Sequence, residues 1–234
     1  IDLGTATANL TYNGLQGIDE LIVGGGKHQI TLEGNDDDRL TLTAASKDMA
    51  SAPTVLGAHG GLGITLGSGS NGFGASAITL GGGATLRDHA DAVVKSGKMG
   101  WFEFGGDTWL INGQQTATPG FVDGSDFALK LAGAVDLSQA RLVDKLLILP
   151  TTITFDSESE LIWPQRGQEL AGNDTFTIAM DAATPYLTLY DSLNGGDGED
   201  TLNINLSGGK AYLAGMINNI ETLNITSDDA VNLP

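Results

Sequence analysis

Two stretches at opposite ends of the chain share one apolar spacing, and this repeat limits the possible folds more than any other feature. Near the start stands Asn13-Gly-Leu-Gln-Gly-Ile-Asp-Glu-Leu-Ile-Val23, and near the end Ala214-Gly-Met-Ile-Asn-Asn-Ile-Glu-Thr-Leu-Asn-Ile225. Ile18-x-x-Leu21 matches Ile220-x-x-Leu223, and upstream Ile1-Asp-Leu3 matches Ile204-Asn-Leu206 with a slip of one residue. A second pair is Glu33-Gly-Asn-Asp-Asp-Asp-Arg-Leu-Thr-Leu42 and Ala171-Gly-Asn-Asp-Thr-Phe-Thr-Ile178. The order is therefore turn-strand module, interruption, module again. A short repeat cannot bury its own apolar face, so copies must stack on one another or be covered by a second sheet.

The modules are strands. Gln29–Leu32, Arg39–Thr43, Thr175–Ala179, Tyr186–Leu189, Thr201–Leu206 and Glu221–Ile225 alternate Leu, Ile or Phe with Thr, Asn or Gln, the period of a half-buried strand. Glycine, at 34 of 234 residues, clusters in runs such as Gly24–Gly26 and Gly81–Gly83, between apolar segments where tight turns belong. Aromatics make up only 6%, so the core must be mainly aliphatic. Helical signal is scarce. Leu86 to Val94 is one candidate, with Asp88 as its cap, and Leu137 to Leu147 reads either as a helix capped by Ser138 or as a strand that ends at Pro150. The run Met99-Gly-Trp-Phe-Glu-Phe-Gly-Gly-Asp-Thr-Trp-Leu-Ile111 predicts a hairpin turning at Gly105-Gly106, with Phe102, Phe104, Trp109 and Ile111 beside the turn as core residues. The expected fold is all-β: glycine-rich, repetitive β-solenoid (β-roll-like) or β-sandwich modules with an inserted β segment. The expected divisions are a truncated repeat module over 1–55, the inserted segment with its aromatic hairpin over 56–150, and a second repeat module over 151–234.

Charge narrows the partners. With 29 acidic against 11 basic residues and a formal charge of −18, the chain is a poor match for nucleic acid or bare anionic lipid. Acidic surfaces keep proteins dispersed; they also attract hard cations. No cysteine is present, so disulfides, thiolate metal sites and cysteine nucleophiles are excluded. No segment has the length and apolarity of a membrane span. The two ends read as cuts through a longer repetitive protein, with any targeting signal elsewhere.

The sharpest motif is Gly195-Gly-Asp-Gly-Glu-Asp-Thr-Leu-Asn203, which matches the glycine-rich calcium nonapeptide at each fixed position. Its glycines permit a tight turn that exposes backbone carbonyls, beginning at Gly195, and Asp197 and Asp200 are placed to project carboxylates into one concavity. Calcium takes six to eight hard oxygens in flexible geometry. An ion of this kind sits between two successive turns, and Asn173-Asp174, or earlier Asn35 with Asp36, Asp37 and Asp38, offers the second half. Asp123-Gly-Ser-Asp126 is a weaker oxygen cluster and reads as an ordinary polar turn. Enzyme motifs are missing. His28, His59 and His89 lack zinc-ligand spacing, there is no Gly-x-Ser-x-Gly elbow, and the glycine-rich run Gly67 to Gly74 has no phosphate-loop lysine. The chain is therefore read as not an enzyme.

Taken in order, Gly172-Asn-Asp-Thr-Phe-Thr-Ile178, Asp191-Ser-Leu-Asn-Gly-Gly-Asp-Gly-Glu-Asp-Thr-Leu-Asn-Ile204 and Asn219-Ile-Glu-Thr-Leu-Asn-Ile225 resemble the repeat of proteobacterial surface-layer (S-layer) proteins and related RTX-type surface proteins. The middle, with Phe102-Glu-Phe-Gly-Gly-Asp-Thr-Trp109 and Asp123-Gly-Ser-Asp-Phe-Ala-Leu-Lys-Leu-Ala-Gly-Ala-Val-Asp-Leu-Ser138, is similar to a segment of such proteins. The resemblance covers about two-thirds of the chain. It implies type I secretion, location at the bacterial cell surface, Ca2+ binding with Asp197, Glu199 and Asp200 as ligands or near-ligands, and self-association into a lattice, with cell-surface polysaccharide as a further partner. The function expected is a structural, calcium-stabilised, self-assembling surface-layer segment; the alternative is a ligand- or glycan-binding module of a large secreted adhesin.

Overall fold

A strand that alternates Leu or Ile with Thr or Asn has one apolar face to cover, and in this chain most strands cover it with copies of themselves. The computed structural model describes residues 2–3, 11–13, 19–24, 27–32, 38–46, 48–67, 72–114, 120–155, 162–163, 172–181, 192–207 and 216–227. The chain divides into two compact units, 1–149 and 150–234.

In the first unit the strands are β1 (Asp2–Leu3), β2 (Thr11–Asn13), β3 (Glu20–Val23), β4 (Gln29–Thr31), β5 (Arg39–Leu42), β6 (Thr54–Leu56) and β7 (Gly63–Leu66). After the helix α1 (Leu86–Lys95) come β8 (Gly100–Phe104), β9 (Asp107–Asn112), β10 (Phe127–Leu131), β11 (Arg141–Val143) and β12 (Leu146–Ile148). They form two six-stranded sheets, ordered β1-β3-β5-β7-β12-β11 and β2-β4-β6-β10-β9-β8. From β1 to β7 consecutive strands alternate between the sheets and every pairing is parallel, which is a β-solenoid. The register stacks like on like: Leu21 on Leu40 on Ile64, Val23 on Leu42 on Leu66, and Ile30 on Val55. These residues are all 2% exposed or less and form the aliphatic interior between the sheets.

Beyond the solenoid turns the pairing changes. β10 joins β6 in parallel, but β9 pairs antiparallel to β10 and β8 antiparallel to β9, and in the other sheet β12 pairs antiparallel to β7 and β11 antiparallel to β12. The hairpin expected at Gly105-Gly106 is present. Both glycines have positive φ, 66° and 86°, as a twist-matched two-residue hairpin turn requires. Phe102, Trp109 and Ile111 are buried beside it. The ambiguous stretch 137–147 resolves into the β11–β12 hairpin, and Asp144 and Lys145 make its turn at φ 46° and 78°. The short helix is where the spacing put it, but its cap is not Asp88. Thr85 occupies the N-cap, and Asp88 is the third helical residue whose carboxylate reaches back to the Thr85 amide at 2.7 Å. The helix buries Ala90, Val93 and Val94 in a second core with Phe102, Trp109, Ile111 and Phe121.

The second unit contains β13 (Thr152–Phe155), β14 (Ile162–Trp163), β15 (Thr175–Asp181), β16 (Ser192–Asn194), β17 (Thr201–Ser207), β18 (Met216–Asn218) and β19 (Thr222–Ser227). Again the strands alternate between two sheets, β13-β15-β17-β19 and β14-β16-β18, and all pairings are parallel. Phe176, Leu202 and Leu223 form one inward column, and Ile178, Ile204 and Ile225 the next. The expected strands at 29–32, 39–43, 175–179, 201–206 and 221–225 are all present, within about two residues at their ends. Tyr186–Leu189 lies outside the described residues, as does Ile18 of the repeat; its counterpart Ile220 is half-buried. Leu21 is 2% and Leu223 51% exposed, because β3 is flanked by β1 and β5 whereas β19 is last in its sheet.

Candidate functional site

The acid that ends each turn of the solenoid sits immediately before a strand: Asp38 before β5, Asp174 before β15, Asp200 before β17 and Glu221 before β19. At that position the chain swings into the sheet, and the amide of the equivalent residue one turn earlier needs an acceptor. The acids provide it. Asp174 Oδ1 accepts from the Thr151 amide at 2.6 Å, Asp200 Oδ1 from the Asp174 amide at 2.7 Å, and Glu221 Oε2 from the Asp200 amide at 2.7 Å. In the first unit Asp38 Oδ1 does the same for the Asp19 amide at 2.8 Å. Asp38, Asp174 and Asp200 are 2%, 1% and 0% exposed. In the second unit the result is a column of three carboxylates, Asp174, Asp200 and the exposed Glu221, that staples one turn to the next, each with a charge-assisted hydrogen bond of the stronger class.

Around this column the two glycine-rich turns of the second unit stack directly. A Cβ on Gly198 would collide with the Gly172 carbonyl oxygen, and one on Gly195 with the Asn219 carbonyl oxygen and Asp200 Oδ2. Asn173 Oδ1 accepts from the Glu199 amide at 3.0 Å, and Asn194 Oδ1 accepts from Asn219 Nδ2 at 2.9 Å. The structure therefore brings Gly172-Asn173-Asp174 against Gly195–Asp200 as successive turns. Within the nonapeptide Asp200 is buried, while Asp197 and Glu199 are exposed at the rim. Asp38 belongs to the first unit's column, and Asp36 and Asp37 lie outside the described residues. For a calcium ion, the turns supply two exposed carboxylates and neighbouring carbonyls. Among the described residues, no three His, Cys, Asp or Glu side chains converge as a metal-ligand group.

One participant outside the candidate ligands, Glu221, carries a readable signal in the sequence: an acid followed at once by a Thr- or Arg-led strand recurs at 38, 174, 200 and 221. His59, whose Nε2 lies 3.2 Å from Asp38 Oδ2, carried no such signal, because it approaches from the following turn. The Asp123–Asp126 cluster is a polar turn. Asp126 is buried and accepts from the Gln114 and Val122 amides at 2.8 and 2.7 Å, while Asp123 pairs with Arg87 at 2.9 Å. Set against known proteins, the chain matches no family model and no curated sequence.

Proposed function

We propose that the chain is a structural segment of a secreted, calcium-stabilised, self-assembling layer on a bacterial cell surface. One observation supports this reading above the others: successive turns are in direct contact, with the buried acids Asp174 and Asp200 inside and the exposed carboxylates Asp197 and Glu199 outside. One oxygen of each acid in the column accepts from a backbone amide, which ties the turns together with or without an ion. The rim acids have no such use among the described residues, and closing their turn gathers like charge that a hard cation would neutralise. Calcium is assigned to this rim, bound weakly as in extracellular modules, with water completing its shell.

The test is a calcium titration followed by thermal melting and by sedimentation. At free calcium one hundred times its dissociation constant the folded state gains about 2.7 kcal/mol. The melting temperature should rise, large assemblies should form, and magnesium should do far less. Asp197→Ala with Glu199→Ala should flatten the response. Asp200 is unsuitable for this test, because removing it breaks the column whether or not calcium binds. A parent chain that stays monomeric and melts at the same temperature in millimolar calcium refutes the proposal.

A further inference from the structure

The outer face of the sheet β2-β4-β6-β10-β9-β8 carries an ordered row that the solenoid core does not explain. The register places Thr11 beside Gln29, Gln29 beside Thr54, Thr54 beside Lys130, and Lys130 beside Trp109. The opposite face of the same strands presents Ile30, Val55 and Leu110 to the interior, so the row points away from it. Neighbouring strands lie about 4.8 Å apart, so five of them make a strip roughly 19 Å long. The strip passes from exposed Thr11 and Gln29, through half-buried Thr54 and Lys130, to Trp109 at its inner end. Two adjoining cavities, of about 530 and 640 Å³, lie along it and share Lys27, Thr54 and Lys130 as walls.

Three properties of this cleft point to one ligand chemistry. First, it gathers basic residues in an acidic chain: of only 11, Lys27, Arg87 and Lys130 line it, against Asp48 as the lining carboxylate. Lys130 is held in place by Asp107 at 3.0 Å and Arg87 by Asp123 at 2.9 Å. Second, among the described residues it contains buried polar groups with no hydrogen-bond partner. Trp109 is 8% exposed and its Nε1–H has no acceptor; His28 is 2% exposed and neither ring nitrogen has a partner. Buried polar atoms are normally satisfied, and a ligand oxygen at each would remove that cost. Third, its inner wall is apolar, formed by Met49, Ala52 and Leu86 beside the Trp109 ring. An extended, carboxylate-bearing oligosaccharide meets all three. Its carboxylates suit Lys27 and Lys130, its hydroxyls the Thr-Gln-Thr row and the indole N–H, and its C–H faces the apolar wall.

We propose that this cleft of the first unit binds an acidic oligosaccharide of the uronic-acid type. The proposal develops the adhesin alternative and does not depend on the calcium-lattice reading. A chain that assembles with calcium yet binds no saccharide sinks only this one, and the reverse result sinks only the other.

The test uses the full chain and oligogalacturonate, with neutral dextran and poly-glutamate as comparisons, read by calorimetry and by the Trp109 indole N–H resonance. Oligogalacturonate should bind and shift that resonance, and dextran should not bind. Lys27→Gln with Lys130→Gln should weaken binding at least tenfold, and so should Gln29→Ala with Thr54→Ala, which leaves the charge unchanged. Both double variants should melt within a few degrees of the parent. Binding of poly-glutamate as tight as that of the saccharide overturns the proposal, because the cleft would then be reading charge alone. No binding by the folded parent at low salt, or equal binding by both double variants, overturns it too.

Discussion

Replacing Asp200 tests whether the buried acid column holds the turns together as an acceptor or as a charge. Asp200 is 0% exposed, and its Oδ1 lies 2.7 Å from the Asp174 amide. In Asp200→Ala that amide loses its acceptor in a site closed to water. A hydrogen bond to a charged group contributes about 1.5–3 kcal/mol, and stranding a buried donor costs about 1–3 kcal/mol. Relief of the carboxylate's own desolvation offsets part of the sum, which leaves about 3 kcal/mol, or roughly a hundredfold in local opening. Asp200→Asn keeps an oxygen at the same place. It also relieves repulsion within a column whose acids recur at the strand spacing of about 4.8 Å, so its cost should stay within about 1 kcal/mol. Because the chain has two units, one whole-chain unfolding curve would mix two transitions. Amide hydrogen exchange along β15 and β17 isolates the right one. The alanine variant should exchange there about a hundredfold faster, with the asparagine variant close to the parent. If asparagine is as damaging as alanine, the staple argument fails, because position 200 then supplies charge and not an acceptor.

The remaining predictions concern pH and a turn. Burial holds the His28 imidazole below its ordinary value near 6.5, and Lys27 and Lys130 in the same cleft add no counter-charge. The unfolded chain then binds more protons than the folded one, so His28's contribution is fully present above pH 6.5 and is lost as pH falls below it. The first unit's urea midpoint should drop between pH 7 and 5, and less steeply in His28→Asn; parallel profiles would rule this out. Gly198→Ala drives a methyl group into the Gly172 carbonyl of the preceding turn, a backbone neighbour that cannot move aside cheaply. It should destabilise the second unit by about 1–3 kcal/mol, the usual cost of overpacking, while Gly81→Ala, with open space around it, should be neutral by the same exchange measurement.

Much of the fold was legible because strand periodicity and stacking report the same thing. Thr201–Ser207 alternates along its length, and every inward position meets an apolar partner one turn away. The Gly105-Gly106 hairpin was legible because its turn type demands positive φ. The stretch 137–147 was not, since Asp144 and Lys145 adopt positive φ without being glycine and the apolar spacing around them suits helix and strand alike. The helix cap was misplaced by the usual competition at an N-terminus: Thr85 and Asp88 form one reciprocal box, and spacing alone does not say which residue stands outside. The candidate ligands divide by burial, which the sequence does not report: Asp174 and Asp200 are buried and each gives one oxygen to a backbone amide, whereas Asp197 and Glu199 are exposed. The cleft was not legible at all. Thr11, Gln29, Thr54, Lys130 and Trp109 are scattered along the chain, and only register sets them side by side.

Beyond β7 the first unit exchanges the solenoid's parallel turns for hairpins, apart from β10, which still joins β6 in parallel. Its hairpins β8–β9 and β11–β12 close small loops, so they form at low entropic cost, whereas each parallel turn must close a longer one before any contact rewards it. The hairpin end is therefore the expected nucleus of the first unit. Each sheet leaves the solenoid by one reversed strand, β9 or β12, and recovers the solenoid's strand direction at the next, β8 or β11.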